Sequence, residues 1–186
     1  DCDGLGDDTD FDLAGALPNE TQTSAPGSGI DSANPTTTDT VTVALVDVVS
    51  DVNVTVNITH TFAADLDIFL ISPAGTRVEL TTDNGGGGDD MTNTTFDDSA
   101  AASITSVGSS DAPFTGSWQP EEPLATFNGE ATDGGWTLEI TDDAGGDIGT
   151  LDSWSLTVTG ALPAGIDDDL DGYLNNAVCA TVDQDC

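Results

Sequence analysis

Basic residues are almost missing from this chain. Its 186 residues include one Arg (Arg77), no Lys and one His, against 35 Asp and Glu, for a formal net charge of -34. One fixed cation cannot neutralise a phosphate backbone, which excludes nucleic acid as a partner. Docking on anionic lipid is disfavoured for the same reason. Long apolar runs are missing too. The longest are four residues, such as Val43 to Val46 and Ile68 to Ile71, far short of the roughly 18 to 20 that a membrane-spanning helix needs. The first residues are Asp1-Cys2-Asp3, with no signal peptide, and read as a processed mature end or as a piece of a longer chain. Cysteine is scarce: Cys2, Cys179 and Cys186 all lie in acidic terminal stretches. That placement suits disulfides that pin chain ends in an oxidising, extracellular or cell-surface setting. An odd count leaves one thiol free or paired between chains.

What is abundant is aspartate, which makes up 29 of the 35 acidic residues. Asp suits tight turns and is the commonest ligand of calcium loops. The bland alternative is a generic acidic surface that serves solvation. Hydrophobic residues, at 37%, still suffice for one sizeable core.

Composition divides the chain into four parts. Residues 1–16 are acidic and Gly-bearing, and 17–40 are rich in Pro, Gly, Ser and Thr. The second part reads as a linker, an O-glycosylated stretch, or irregular structure lying along the domain. From residue 41 to 160 the hydrophobic period becomes two. Val41, Val43 and Leu45 alternate with polar or small residues, as do Val52, Val54, Val56 and Ile58. Further strands are expected at 66–72, 77–82, 103–107, 136–141 and 151–159. Seven or more short strands and no helical period predict an all-β fold, a β-sandwich. Residues 161–186 form an acidic tail.

Within 41–160 a set of segments resembles one family. They are His60-Thr61-Phe62-Ala63-Ala64-Asp65-Leu66-Asp67-Ile68-Phe69-Leu70-Ile71-Ser72-Pro73-Ala74-Gly75-Thr76, then Thr94-Thr95-Phe96-Asp97-Asp98, Phe114-Thr115-Gly116-Ser117-Trp118, Phe127-Asn128-Gly129, Gly135-Trp136-Thr137-Leu138, and Gly149-Thr150-Leu151-Asp152-Ser153-Trp154. In this order they resemble the P domain, or Homo B domain, of proprotein convertases and bacterial secreted peptidases. The resemblance implies a jelly-roll β-sandwich that is not catalytic, stabilises an adjoining subtilisin-like protease, and modulates its calcium and pH response. It also implies that His60 is structural.

The residues themselves agree on the absence of catalysis. His60 is the one side chain able to act as a base near neutral pH beside a nucleophile. There is no Gly-x-Ser-x-Gly elbow and no His-Glu-x-x-His helix. The chain is therefore not expected to be an enzyme.

Calcium is the cofactor the spacing points to. Asp167, Asp169 and Asp171 precede Gly172, with Tyr173 placed to offer a carbonyl and Asn175 at the ninth position. Position twelve is Val178, so the segment looks more like thrombospondin type 3 or dockerin calcium loops than an EF-hand. Written end to start, Asp183 and Asp185 run into Asp1, Asp3 and Asp7, a split copy of the same pattern or a coincidence of Asp-rich ends. Three loops within the sandwich add candidates: Asp65 and Asp67; Asp89, Asp90, Asn93, Asp97 and Asp98; and Asp142, Asp143 and Asp147. Gly85 to Gly88 either let carbonyls approach an ion or form a floppy hairpin tip. Asn-x-Thr glycosylation acceptors fall at Asn19, Asn53, Asn57 and Asn93.

Three functions are compatible with these features. The first is a secreted structural module whose acidic ends bind calcium and join copies head to tail into a filament or surface array. The second, drawn from the resemblance, is an accessory domain of a secreted subtilisin-like or metallo-peptidase. The third is a glycan- or surface-binding module.

Overall fold

The computed structural model describes residues 17–161. Ten strands alternate in two antiparallel-dominated sheets, and the described residues contain only short 3-10 turns besides. The strands are β1 (Asn19–Ser24), β2 (Ser28–Asp31), β3 (Thr36–Val43), β4 (Val49–His60), β5 (Leu66–Ile71), β6 (Arg77–Thr81), β7 (Met91–Phe96), β8 (Phe114–Trp118), β9 (Gly134–Asp142) and β10 (Ile148–Gly160). One sheet has the order β1-β10-β4-β7-β8, with β2 also on β10, and the other has β3-β9-β5-β6. This is an all-β sandwich. No helix among the described residues is long and apolar enough to cross a membrane.

Period-two patterning drives the packing, because successive side chains of a strand point to opposite faces. Val52, Val54, Val56 and Ile58 of β4 face inward, as do Trp136, Leu138 and Ile140 of β9 and Leu151, Trp154, Leu156 and Val158 of β10. These side chains form one continuous core between the sheets. Each buried indole N–H finds an acceptor. Trp154 Nε1 donates to Asp39 Oδ2 of the opposite sheet at 2.7 Å, and Trp136 Nε1 donates to the Thr132 carbonyl at 2.9 Å. Phe127 meets Trp136 edge to face at 5.1 Å, a favoured aromatic geometry.

Two expectations change. The stretch 17–40, expected to be a linker or irregular, supplies β1, β2 and the first half of β3. Its Thr-rich composition hides edge strands: β1 pairs with β10 from Asn19↔Thr159 to Ser24↔Trp154, and Ile30 anchors β2 at 1% exposure. Edge strands carry polar side chains without losing their ladder. Residues 103–107, expected as a strand, contain a 3-10 turn over Ile104–Ser106. Ser103 Oγ accepts from Thr105 N–H and Ser106 Oγ donates to the Ser103 carbonyl, local bonds that compete with a ladder. The turn lies in the long connection between β7 and β8, which run parallel. Parallel neighbours require such a crossover.

Candidate functional site

The sandwich has a near end, where β4 and β9 finish and β5 and β10 begin. Leu66 pairs with Asp142 and Gly149 pairs with His60 there. Alternation that sends Ile58 and Ile140 inward also sends His60 and Asp142 inward, so two polar side chains enter the end of the core. They are 1% and 0% exposed. His60 Nε2 lies 3.6 Å from Asp142 Oδ2, beyond a normal hydrogen bond. Neither atom has another hydrogen-bond partner among the described residues. The other ring nitrogen, Nδ1, is 2.9 Å from the Phe62 carbonyl oxygen and 3.2 Å from Phe62 N. Asp90 clamps the same residue through the backbone: His60 N–H donates to Asp90 Oδ1 and Asp90 N–H donates to the His60 carbonyl, each at 3.0 Å. A ring this buried offers no base to a substrate in solvent.

Around this pair stand carboxylates. Asp65 is buried, at 8% exposure, in the 3-10 turn before β5. Its pKa is raised, by burial first and then by repulsion from Asp142, Asp147 and Asp143, with His60 acting in the opposite direction. Asp67 is also raised, by burial and then by Asp143, Asp83 and Glu79, with Arg77 opposing. Asp147 accepts from Thr61 Oγ1 at 2.7 Å, which ties the β9–β10 loop to the turn after β4. Thus Asp65, Asp142, Asp143 and Asp147 come together, yet no group of three or more His, Cys, Asp or Glu among the described residues is arranged to hold a metal ion.

The second acidic loop divides. Asp89 and Asp90 remain at the near end, Asp90 against His60. Asn93 sits on β7 in the left-handed region, at φ 48°, where the β4–β7 register shifts. Asp97 and Asp98 follow β7 on the far side. Asp97 Oδ1 accepts from Ser99 N–H, and the Asp98 carboxylate accepts from the N–H groups of Leu124 and Ala125 at 2.9 and 2.8 Å. Asp51 joins them there, its pKa raised by burial and by Asp97 and Asp98.

The glycine run is neither an open cradle nor a loose tip. Ala63 N–H donates to the Gly88 carbonyl, Ala64 N–H to Gly86, and Gly88 N–H to Gly85. A Cβ at Gly85 or Gly88 would collide with the Phe114 ring, and one at Gly87 would press on Phe62. The missing side chains allow the loop to pack flat on aromatics and staple the turn that bears Asp65.

Several acids unmarked in the sequence prove to be structural acceptors. Glu20 takes the N–H groups of Ala44 and Leu45, which lowers its pKa together with the Gln22 amide. Glu130 takes the hydroxyls of Ser72 and Thr76, and Glu121 takes Thr82 N–H at 2.7 Å. Their partners are distant in sequence, so no local spacing signals them.

The four glycosylation acceptors all lie on strands of the larger sheet. Asn57 is engaged on both amide atoms, by Asn93 N–H and Ser153 Oγ, whereas Asn19 and Asn93 are exposed. Asp1, Asp3, Asp7, Asp167, Asp169, Asp171, Tyr173, Asn175, Asp183, Asp185 and all three cysteines lie outside the described residues.

With this geometry in view, the chain matches the family model described as proprotein convertase P-domain over residues 49–158. Among solved structures it is similar to the serine protease of Aeromonas sobria in complex with the chaperone ORF2. Identity is 24% and the TM-score 0.54, covering 79% of this chain and 27% of that one. It is similar to the same serine protease alone at 24% identity and a TM-score of 0.53, covering 78% of this chain and 27% of that one. The chain thus spans about a quarter of the length of these structures. Curated proteins yield no match.

Proposed function

The chain belongs to the proprotein convertase P-domain family, and from that premise we propose that its sandwich is a non-catalytic accessory module of a secreted peptidase. The carrying observation is the family match, which spans the sandwich from the first residue of β4 almost to the end of β10. The likeness to about a quarter of a serine protease chain fits a module within a larger assembly. Burial of His60, the one candidate base, fits a supporting role. An extracellular location follows from the peptidases such domains serve. The family match favours this reading over the filament expected from the acidic ends, whose coupling residues lie outside the described ones.

The physical mechanism is linkage. A module that binds only the native state of a catalytic domain stabilises that state by RT ln(1 + [L]/Kd). Tethering gives an effective concentration on the order of millimolar. With a Kd of about 1 μM, the catalytic domain would gain about 4 kcal/mol. The sandwich needs rigidity for this, and its continuous core provides it.

The test is deletion of residues 49–158 from the native gene, followed by thermal inactivation of the peptidase secreted by the source. The expected outcome is a half-life shortened by tenfold or more, or loss of active enzyme. An unchanged half-life and yield would overturn the reading.

Calcium remains a separate proposal that attaches to the Asp167–Asn175 spacing. Chelator should lower the melting temperature of the whole chain and leave that of a 17–161 fragment unmoved. Equal shifts in both would place the ion in the sandwich instead.

A further inference from the structure

We infer that the apolar surface of Leu17, Val46 and Val48, at the far end of the sandwich where β10 finishes, is the seat of the chain's own residues 162–166, and that this seat fastens the acidic tail to the core.

Exposed apolar side chains gather there around one exit. Leu17 and Val48 are each 42% exposed and Val46 is 82% exposed. Gly160 N–H donates to the Pro18 carbonyl at 2.7 Å, and Ala161 N–H donates to the Val48 carbonyl at 2.8 Å. These two bonds prolong the ladders of β10 with β1 on one side and with β4 on the other. The chain therefore leaves the sandwich between Leu17 and Val48, heading along residues 46–48. In the antiparallel register that pairs Gly160 with Val49, positions 162 and 163 fall opposite Asp47 and Val46.

The residues that follow match this surface. Leu162-Pro163-Ala164-Gly165-Ile166 carries no charge, and Asp167-Asp168-Asp169 comes directly after it. Leu156, Val158 and Gly160 point into the core, so alternation makes 162 the next inward position. Leu162 then continues the inward row of β10, and Ile166 supplies a second large apolar side chain. Pro163 has no N–H to extend the ladder further.

Other occupants fit less well. A second copy brings another net charge of -34, and like charges resist the contact. Residues before Leu17 prolong β1, which lies across β10 from β4, on the side away from Val46 and Val48. Three side chains make a small patch beside the 20–30 residues that each partner contributes to a stable protein interface. They suffice for a segment that is already tethered, because a short tether supplies an effective concentration on the order of millimolar. Asp167, where the calcium-like spacing begins, directly follows Ile166. An ion held by that spacing would thus brace the far end of the core.

The test is a double-mutant cycle read by thermal melting of the whole chain. Val46→Ser with Val48→Ser should lower Tm by about 2–4 °C, and Leu162→Ser with Ile166→Ser should lower it by about the same amount. All four substitutions together should lower it no further than the larger pair, because both pairs remove one contact. A side chain as exposed as Val46 is otherwise indifferent to such a change. No shift from the Val46/Val48 pair, or shifts that add in full, overturns the proposal. Methyl nuclear Overhauser contacts in the unaltered chain decide the matter even where a variant fails to fold. Contacts from Val46 or Val48 to Leu162 or Ile166 support the seat, whereas contacts to Leu13 instead, or to neither segment, overturn it. Contacts seen only between differently labelled copies would assign the surface to a dimer and also overturn it.

Discussion

The two ends of the sandwich use the same residue type in opposite ways. At the far end, Asp98 caps the turn at Leu124–Phe127, Glu20 holds the Ala44–Leu45 backbone, and Glu130 gathers two hydroxyls. These carboxylates are acceptors for specific donors. At the near end, Asp142, Asp147 and Asp143 repel the buried Asp65, and Asp142 Oδ2 faces the buried His60 ring with no hydrogen bond. Near-end Asp90 and Asp147 also accept specific donors, so the difference lies in Asp142, whose buried Oδ2 faces only the His60 ring at 3.6 Å.

Steric tests of the contrast should give the largest effects. Gly149 lies at the near-end start of β10 and Gly135 at the far-end start of β9. A methyl at Gly149 would strike the Thr59 carbonyl oxygen and the His60 ring, whereas one at Gly135 would press only on the Thr40 γ-methyl. Gly149→Ala should destabilise by about 3 kcal/mol and Gly135→Ala by less than about 1 kcal/mol, since rigid overpacking costs more than a small shift of a methyl. Urea midpoints measure both, and equal shifts would show that the near end yields as easily as the far end.

Removing single carboxylates should give intermediate effects of different sign. Asp98→Ala leaves two N–H groups without a charged acceptor and should cost about 2 kcal/mol. Asp143→Ala should cost nothing or stabilise, because Asp143 acts on Asp65 by repulsion. Destabilisation by Asp143→Ala comparable to that of Asp98→Ala would end the distinction.

The smallest effects lie in pH dependence. Asp65 has a folded pKa above its ordinary value, so its ionisation opposes folding at neutral pH. That penalty is relieved as pH falls through the raised value toward the ordinary aspartate range of about 4. Asp65→Asn should therefore stabilise at pH 7, with the gain shrinking across that window. Glu20 is the reverse: its pKa is lowered, first by the Ala44 N–H. Its contribution is present above the ordinary glutamate value and lost as pH falls through the lowered one. Glu20→Gln should therefore destabilise at pH 7 and become neutral in acid. Melting temperatures of both variants from pH 7 to 3 would separate these slopes, and parallel slopes would count against the contrast.

The sandwich core was legible because alternation is a local signal. Val52, Val54, Val56 and Ile58 declare their inward face without knowledge of any partner strand, and Trp136 and Trp154 declare themselves as bulk. The Thr-rich strand β1 and first half of β3 were obscured because edge and solvent faces carry little apolar signal, and β8 because Phe114-Thr115-Gly116-Ser117-Trp118 is broken by glycine. Among the candidate ligands, Asp65 and Asp67 fall at the start of β5, and Asp142, Asp143 and Asp147 at and just beyond the end of β9. Their meeting at His60 was not foreseeable, nor was the separation of Asp90 from Asp97 and Asp98 by the length of β7.

Side-chain alternation, motif order and composition carry the two-sheet core, the family and the excess of carboxylates, because each is a property of the chain read locally. Tertiary structure alone decided what each carboxylate does. Register places Asp142 beside His60 and Asp98 beneath the Leu124 turn. A carboxylate's energy depends on donors, charges and water within a few ångströms, which only the pairing of distant strands can supply.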